Sequence, residues 1–485
     1  MIFAVTFFIL FNVMNITGST ASLKGEFVDI SLGDGHALAL RSDGTVWAWG
    51  ANYAGQCGVE FNDTSHVVYT PVQVSGLDAV KAIAAGRGFS LALKNDGTVW
   101  AWGDNRYGTL GDSQKSNKYP DNMYPEPSMV PGLTQIIAID ANEDYAMALK
   151  DDGTVWAWGN NGFGQLGSGI TTGMNIDAFT SDPHAVMELS DVKAIACGPV
   201  NAIAIKKDGT VWLWGRRDYI LGENFLTIHT GGTSAPGIIS NTNEVISADA
   251  GEGFAIALKN DGTVWAWGDN WRGKLGNGSK NYHTLSGELT MTPIQVPGLY
   301  NVKTIDTGVE HSVALLANGS VVAWGGNEMG QIGDGTKEDR NSPVFLPVIN
   351  AVKISAAGLD TMILDASGNI WMSGDNTWGQ VGNNSFTDHQ VTRYPSYVMS
   401  PVIVDFSAIF GPPVVQGKGN DDGSTHTLVP NDNIQPTAMP NVSNNREGTP
   451  IPLNDEGGSV NPLLLATGGI VVLILAFFVY WAIKK

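Results

Sequence analysis

One eight-residue element, Asp-Gly-Thr-Val-Trp-Ala-Trp-Gly, returns along this chain about every fifty residues, and this period constrains the fold more than any other feature. Four copies are intact, a fifth differs by one residue, and two are eroded. In that order they are Asp43–Gly50, Asp96–Gly103, Asp152–Gly159, Asp261–Gly268, Asp208–Gly215, Asn318–Gly325 and Ser367–Gly374. Seven similar units stack around a shared core rather than forming separate domains.

Each unit contains four short segments that alternate with the period of a β-strand. In the second unit these are Val80–Gly86, Phe89–Lys94, Val99–Trp102 and an outer strand that starts at Pro127. The Asp-Gly pair between the second and third segments predicts a type I′ hairpin. The two tryptophans of the third segment are two residues apart, so we expect them to share one face of the sheet.

Seven units of four strands predict an all-β fold, a seven-bladed β-propeller of four-stranded antiparallel blades over residues 22–415. An open β-solenoid is the structural alternative. The first unit has no Pro-Val strand before Phe27, whereas Pro401–Val404 follows the seventh hairpin. We therefore expect this C-terminal strand to complete the N-terminal blade and close the ring.

Both ends of the chain predict contact with a membrane. Residues 1–21 are typical of a signal peptide, with an uncleaved anchor as the alternative. Residues 416–460, rich in Asn, Pro, Ser and Gly, predict a disordered stalk. Residues 461–483 contain no charge and predict one transmembrane helix, followed by a cytoplasmic tail at 484–485. This order predicts a single-pass cell-membrane protein with the propeller outside.

Composition restricts the partners. The formal net charge of −20 over 485 residues disfavours nucleic acid as a partner. Two cysteines, Cys57 and Cys197, stand at apolar repeat positions and predict buried thiols rather than a disulfide. An exported chain can be glycosylated at Asn-X-Ser/Thr sequons. These sequons predict glycosylation at Asn62, Asn277, Asn318, Asn383 and Asn441.

The repeat resembles the regulator-of-chromosome-condensation repeat family of seven-bladed propellers. The resemblance covers about Phe27–Phe410 and rests on Ala84–Gly86, Ser90–Leu93, Asp96–Gly103 and Gly164–Gly167. It implies the fold and says little about function. The founding member is a nuclear exchange factor for a small GTPase that also binds chromatin. This chain is acidic and has no segment recognisable as a nucleotide-releasing wedge, so we expect no exchange activity. A secreted bacterial β-lactamase inhibitor with the same propeller is the closer analogy.

Candidate binding residues lie where the seven copies differ. The turn after each first strand carries charge and predicts an acidic rim with one arginine; its members are Asp34, Arg87, Glu143 with Asp144, Glu252, Glu310 and Asp360. The loop after each third strand predicts an aromatic contact surface at Tyr53, Tyr107, Trp271 and Trp378. The alternatives are solvated turns and packing between blades.

No catalytic motif, cofactor or metal site is predicted. His36 and His311 begin second strands in units one and six, where packing is favoured over metal binding. Taken together, these features predict a monomeric, membrane-anchored, non-enzymatic adhesion module that binds an extracellular protein or glycan through rim loops. The alternatives are an extracellular hydrolase or lyase with a rim-assembled site and a regulator of a GTPase.

Overall fold

Every blade is built from four strands that are consecutive in the chain. The computed structural model describes residues 26–60, 66–118, 121–169, 178–216, 233–279, 290–383 and 397–406. In those ranges it contains seven antiparallel sheets of four strands each and one short 3₁₀ turn, Trp271–Gly273. The all-β, seven-bladed prediction is confirmed.

The strands are numbered in chain order. The first strand of each blade lies at the axis: β1 Phe27–Leu32, β5 Val80–Ala85, β9 Ile136–Asn142, β13 Val192–Cys197, β17 Val245–Gly251, β21 Val302–Thr307 and β25 Ala351–Ala357. The second strands are β2 His36–Arg41, β6 Phe89–Lys94, β10 Tyr145–Lys150, β14 Asn201–Lys206, β18 Phe254–Lys259, β22 His311–Leu316 and β26 Asp360–Asp365.

The third strands carry the repeated tryptophans: β3 Val46–Ala51, β7 Val99–Asp104, β11 Val155–Asn160, β15 Val211–Gly215, β19 Val264–Gly268, β23 Val321–Gly325 and β27 Ile370–Asp375. The outer strands are β4 Val67–Gln73, β8 Met123–Met129, β12 Phe179–Ala185, β16 Thr233–Ile238, β20 Thr290–Gln295, β24 Arg340–Phe345 and β28 Tyr397–Ile403.

The ring closes without exchanging a strand, so the prediction that a C-terminal strand completes the first blade is wrong. β28 pairs with β27 of its own blade, and the outer strand of the first blade is β4. The reason is that a proline-containing outer strand follows the third strand of its own repeat, and the first repeat already has one in β4, with Pro71-Val72. The first and seventh blades meet through a shared apolar cluster instead.

The terminal segments from which membrane anchoring is predicted lie outside the described ranges. They are the signal peptide at 1–21, the stalk at 416–460, the span at 461–483 and the tail at 484–485. Within the described ranges, no helix is long and apolar enough to cross a bilayer. The anchoring of this chain therefore stays a prediction.

The Asp-Gly turn has a different geometry from the predicted type I′ hairpin. Gly97 has a φ of 81° and its N–H bonds the carbonyl of Lys94, whereas Asp96 does not have a positive φ. This is a three-residue loop with a glycine bulge, which the right-handed twist of the strands also accepts. Asp96 Oδ1 accepts hydrogen bonds from the Thr98 backbone and hydroxyl, which explains why Asp and Thr recur together.

The two tryptophans of a third strand share one face, as predicted, but differ in role. The second indole is fully buried and donates its N–H to a backbone carbonyl of the preceding blade, as Trp158 does to Thr109 at 2.8 Å. The same bond is made by Trp49, Trp102, Trp214 and Trp324. The first indole is half-buried beneath a lysine of the second strand in several blades, as in Lys150 over Trp156. The second indole therefore joins blades, and the first covers its own blade.

Polar side chains on the axial strands join neighbouring blades a second time. One position of each first strand faces the channel, and in five blades its side chain accepts a backbone N–H of the next blade. These acceptors, here called the axial clasps, are Ser31, Asp140, Asp249, Asp306 and Ser355, and their donors are Ala85, Cys197, Thr307, Ala356 and Leu32. Alanine takes this position in the other two blades, at Ala84 and Ala196.

Three axial clasps are carboxyl groups in a confined space. Burial raises the pKa of Asp140 to about 7, and Asp249 adds to the shift, while the backbone N–H groups of Cys197 and Ala141 oppose it. Burial likewise raises the pKa of Asp249 and of Asp306, and these two carboxyl groups are hydrogen-bonded to each other. A proton held between them lets both accept backbone bonds without two adjacent negative charges.

We expect Trp158→Phe to lower the free energy of unfolding by about 1–3 kcal/mol, because the buried Thr109 carbonyl loses its donor. Trp156→Phe in the same strand is the matched control, since the Trp156 indole N–H has no partner among the described residues. Guanidinium unfolding followed by circular dichroism measures both. Equal losses in the two variants would show that ring volume, not the inter-blade bond, is responsible.

The pKa of Asp140 also predicts a pH dependence. A carboxyl whose folded pKa is raised stabilises the fold at low pH, and this contribution is lost as the pH rises through about 7. Between pH 6 and pH 8 the wild type should lose about 1 kcal/mol more than Asp140→Asn, which does not titrate. Denaturant midpoints at the two pH values test this. A wild type and variant with parallel pH profiles would contradict it.

Candidate functional site: the turn face and its channel

Strand direction gives the ring two different faces. The turns after the first strands and the loops after the third strands lie on one face, here called the turn face; Gly33–Gly35 and Ala51–Gly58 are examples. The Asp-Gly hairpins and the connections between blades lie on the opposite face, here called the hairpin face. Antiparallel strands reverse at each turn, so this assignment holds in every blade.

Most of the predicted rim acids do lie on the turn face. Asp34, Arg87, Glu143 and Glu252 occupy the same turn position in four blades, and Glu310 stands one residue later in its turn. Asp34 and Glu252 are exposed. The acidic rim therefore exists as a geometric feature, and its role in binding stays a prediction.

Asp360 is not a rim residue. It begins strand β26, pairs with Ala357 and is 2% exposed, with Gly358 taking the turn position. Its Oδ2 accepts a hydrogen bond from Gln380 Nε2 at 3.2 Å, and burial raises its pKa well above the ordinary value. The sequence misplaced it because Ala-Ala-Gly at Ala356–Gly358 aligns with the repeat one residue away from the register that strand pairing adopts.

Arg87 connects three blades on the turn face. Its guanidinium lies 3.3 Å from Glu143 Oε2 and 3.1 Å from Asp144 Oδ2, and its carbonyl accepts the Tyr53 hydroxyl at 3.2 Å. Burial opposes the charge of Arg87, but Asp144 and Glu143 prevail and raise its pKa. Burial and the nearby Asp34 raise the pKa of Glu143 to about 8, against the effect of Arg87.

A second cluster surrounds Arg272 in the fifth and sixth blades. Its guanidinium lies 3.1 Å from Glu310, 2.5 Å from Glu328 and 3.4 Å from Asp339. It also lies 4.6 Å from the ring centre of Trp271, so that predicted aromatic contact is partly covered. Burial raises the pKa of Glu310, although Arg272 opposes the shift. The cluster carries more carboxylates than cations, so it is net acidic.

The other aromatic candidates differ in accessibility. Trp378 is 41% exposed and its ring centre lies 6.3 Å from that of Tyr53, so the first and seventh blades share an aromatic pair. Tyr107 is half-buried, and burial raises the pKa of its phenol, helped by Asp144. Trp378 is therefore the aromatic side chain that a partner meets first.

His36 and His311 belong to packing, as favoured from the sequence. His36 Nε2 lies 2.9 Å from Ser90 Oγ, which itself donates to the Gln56 carbonyl. That bond fixes Nε2 as the donor, and burial lowers the pKa of His36 to about 3. His311 repeats the arrangement with Thr361, and burial lowers its pKa to about 4. Both residues are neutral at physiological pH.

Three further predictions concern the cysteines, metal ligands and sequons. Cys57 and Cys197 are free and buried, which confirms the predicted thiols. Over the residues described, no three His, Cys, Asp or Glu side chains form a group that could hold a metal. Asn277, Asn318 and Asn383 are described, whereas Asn62 and Asn441 are not. Glycosylation stays a prediction at all five positions.

Sequence reasoning missed the acids inside the channel. Asp140, Asp249 and Asp306 line a cavity of about 230 Å³ that is walled by all seven axial strands, and Asp34 and Glu143 of the rim also line it. The available signal was that the fifth residue of the axial strand is serine or aspartate in five of the seven units. Channel and rim together form an acidic funnel with aromatic side chains at its edge, an arrangement suited to binding cationic groups.

Known proteins with similar sequences include a receptor and an exchange factor. The chain is 28% identical to the Arabidopsis thaliana ultraviolet-B receptor UVR8 over 375 residues, covering 75% of this chain and 80% of UVR8. It is 26% identical to the Saccharomyces cerevisiae guanine nucleotide exchange factor SRM1, covering 65% of this chain and 73% of SRM1. Among solved structures, Prp20p from Saccharomyces cerevisiae, studied for binding to Gsp1p and histones, superposes with a TM-score of 0.58 at 24% identity. That match covers 68% of this chain and 80% of Prp20p, and it supports the fold.

The predicted function is corrected by these relatives. They are named as a receptor and an exchange factor, so the prediction of a surface adhesion module is wrong. The error arose because the predicted signal peptide and anchor were allowed to decide the function. The repeat itself carried the better information, because it is the feature that the chain shares with these relatives.

Family models match most of the propeller. The RCC1-like domain model matches residues 12–283, which is more than half of the chain. The model of the regulator of chromosome condensation (RCC1) repeat matches residues 261–315 and 318–364, from the hairpin of the fifth blade into the second strand of the seventh. The chain belongs to the RCC1-like domain family of seven-bladed propellers.

Proposed function

We propose that this chain is a regulatory RCC1-type propeller that acts by binding a basic protein partner on its turn face. The observation that carries the proposal is the acidic funnel formed by the rim and the channel. Asp34 and Glu252 are exposed on the turn face, and Asp34 also lines the cavity. The arginines beside them, Arg87 and Arg272, are both paired with carboxyl groups.

The electrostatics support a cationic partner. Arg272 does not neutralise its part of the rim, because Glu328 and Asp339 both pair with it. Arg87 is paired with Asp144, which leaves Asp34 and Glu252 exposed. The chain as a whole has a net charge of −20, so its long-range field also attracts basic proteins. Complementary charge raises the association rate and selects the partner, while buried aromatic contacts supply affinity. Trp378 and Tyr53 lie where such contacts would form.

The relatives support the same class of partner. Prp20p was studied for its binding to histones, which are basic proteins. In this proposal the chain acts by binding, without catalysis by its own side chains. The acids inside the channel then add to the field at the mouth when they are ionised.

Reversing charge at the mouth should weaken the binding of purified, nucleic-acid-free core histones. We expect Asp34→Lys combined with Glu252→Lys to reduce affinity at least about tenfold at 0.1 M salt, because two exposed attractive charges become repulsive. Glu188→Lys with Glu244→Lys is the matched control on the hairpin face, with the same change in net charge. Fluorescence titration measures both. Equal affinity in the two double variants would contradict the turn-face assignment.

A second candidate function is nucleotide exchange on a small GTPase, which the name of SRM1 favours. Release of labelled GDP from Gsp1p in the presence of catalytic amounts of this chain is the direct assay. Acceleration that is lost with Asp34→Lys and Glu252→Lys would make exchange the function of the turn face. A release rate unchanged by an excess of the chain would leave histone-type binding as the function.

A further inference from the structure

The hairpin face carries a different pattern around the same axis. The second residue of each axial strand lies at the mouth of the channel on this face, and all seven are exposed. In order around the ring they are Val28, Lys81, Ile137, Lys193, Ile246, Lys303 and Val352, here called the hairpin-face ring. Aliphatic and lysine side chains alternate, and the two valines meet where the ring closes.

The aliphatic members are not part of a core. Val28, Ile137, Ile246 and Val352 are 42%, 51%, 46% and 36% exposed, while the residue before Ile137, Ile136, is 1% exposed. Adjacent axial strands contact each other all round the ring, including β1 with β25, so these side chains surround one opening. Exposed aliphatic side chains grouped in this way mark an interaction surface more often than scattered ones do.

Further apolar side chains extend this surface outward. Ile349 is 72% exposed and Tyr300 is 57% exposed, and both lie in connections between blades on the hairpin face. Phe345, near the end of its outer strand on the same face, is 60% exposed. Tyr300 and Ile349 each precede a ring residue by three positions, Lys303 and Val352 respectively, whereas Phe345 lies farther out, on the outer strand of the sixth blade.

The charge close to the axis is positive. Lys81 and Lys303 have no hydrogen bond or ion pair with the residues that the structure describes, and Lys193 donates to the Val245 carbonyl at 2.8 Å. Asp29, the residue after Val28, is paired with Lys353 at 3.1 Å, and Asp78, three residues before Lys81, is paired with Lys94 at 2.5 Å. The aspartates of the Asp-Gly hairpins lie farther from the axis, between the second and third strands of each blade. The lysines of the ring are therefore available for an external carboxylate.

We propose that the hairpin-face ring is a second binding surface, and that it takes an acidic, amphipathic segment of a partner protein. Carboxylates of the segment would pair with Lys81 and Lys303, while its apolar side chains would cover Ile137, Ile246 and Val352. Lysine and aliphatic side chains alternate around the ring, so the surface suits a peptide segment in which acidic and apolar side chains also alternate. This surface has the opposite charge preference to the turn face, so the two faces bind different partners.

Subtractive selection from a random peptide library displayed on phage tests this proposal with the full chain. The library is first depleted on the Lys81→Glu, Lys303→Glu double variant and then selected on the wild type. We expect the enriched peptides to combine Asp or Glu with Leu, Ile or Phe, and to bind the wild type at least about tenfold more tightly than the variant. Ile137→Ser with Ile246→Ser should weaken the same peptides while leaving histone binding unchanged.

Lys118→Glu with Lys337→Glu, on the turn face, is the control with an identical change in charge, and it should bind the enriched peptides like the wild type. Absence of enrichment, enriched peptides without carboxylates, or equal weakening in this control would overturn the proposal. Sedimentation with phosphatidylserine vesicles tests the alternative that this surface binds a membrane. Ring-dependent sedimentation without peptide enrichment would assign the surface to a membrane instead, which also overturns it.

Discussion

The hydrogen bond from a buried indole to the backbone of the preceding blade is the interaction on which this ring depends. Because each blade keeps its own four strands, no shared strand joins the first blade to the seventh. Cohesion must therefore come from side chains, and Trp49 makes at the closure the same bond, to Gln380, that the other tryptophans make elsewhere. The seventh blade has Ser373 in place of the second tryptophan, and there the Thr361 hydroxyl bonds the Gln331 carbonyl. The Gln56 carbonyl accepts both the Ser90 hydroxyl and the Trp102 indole, so the seventh blade keeps the hydroxyl donor and lacks the indole.

The axial clasps make the same joint at the centre of the ring, and they determine what the channel is. In five of the seven blades a side chain accepts a backbone N–H from the next blade, and the residues there are serine and aspartate, which are short acceptors. Aspartate at three of these positions stabilises the joint and also makes the channel acidic. The cost is partial desolvation, which raises the pKa of Asp140 and forces Asp249 and Asp306 to share a proton. The same carboxyl groups therefore join the blades and make the channel acidic.

The fold was predictable because the repeat is local: Asp-Gly-Thr fixes the hairpin, and the spacing of Trp100 and Trp102 fixes their common face. The alignment of an eroded repeat with the intact copies was less predictable. Asp360 was misplaced by one eroded repeat, since only strand pairing distinguishes Ala357 from Gly358 as the turn residue. Ring closure and the meeting of Asp140 with Asp249 depend on contacts between distant units, which no single copy encodes. Function was predicted worst, because the termini were given more weight than the repeat.

Three positions in and just after a single axial strand have three different roles. Its second residue faces the hairpin side, its middle acceptor clasps the next blade, and the turn that follows it faces the other side. In the fifth blade these are Ile246, Asp249 and Glu252. The clasp position is restricted by a bond it must make, whereas the two flanking positions are exposed and free of that requirement. Partner preference can therefore diverge at the two mouths independently, while the joint between blades stays intact. This separation explains how one ring presents an acidic face and a lysine-bearing face along one axis.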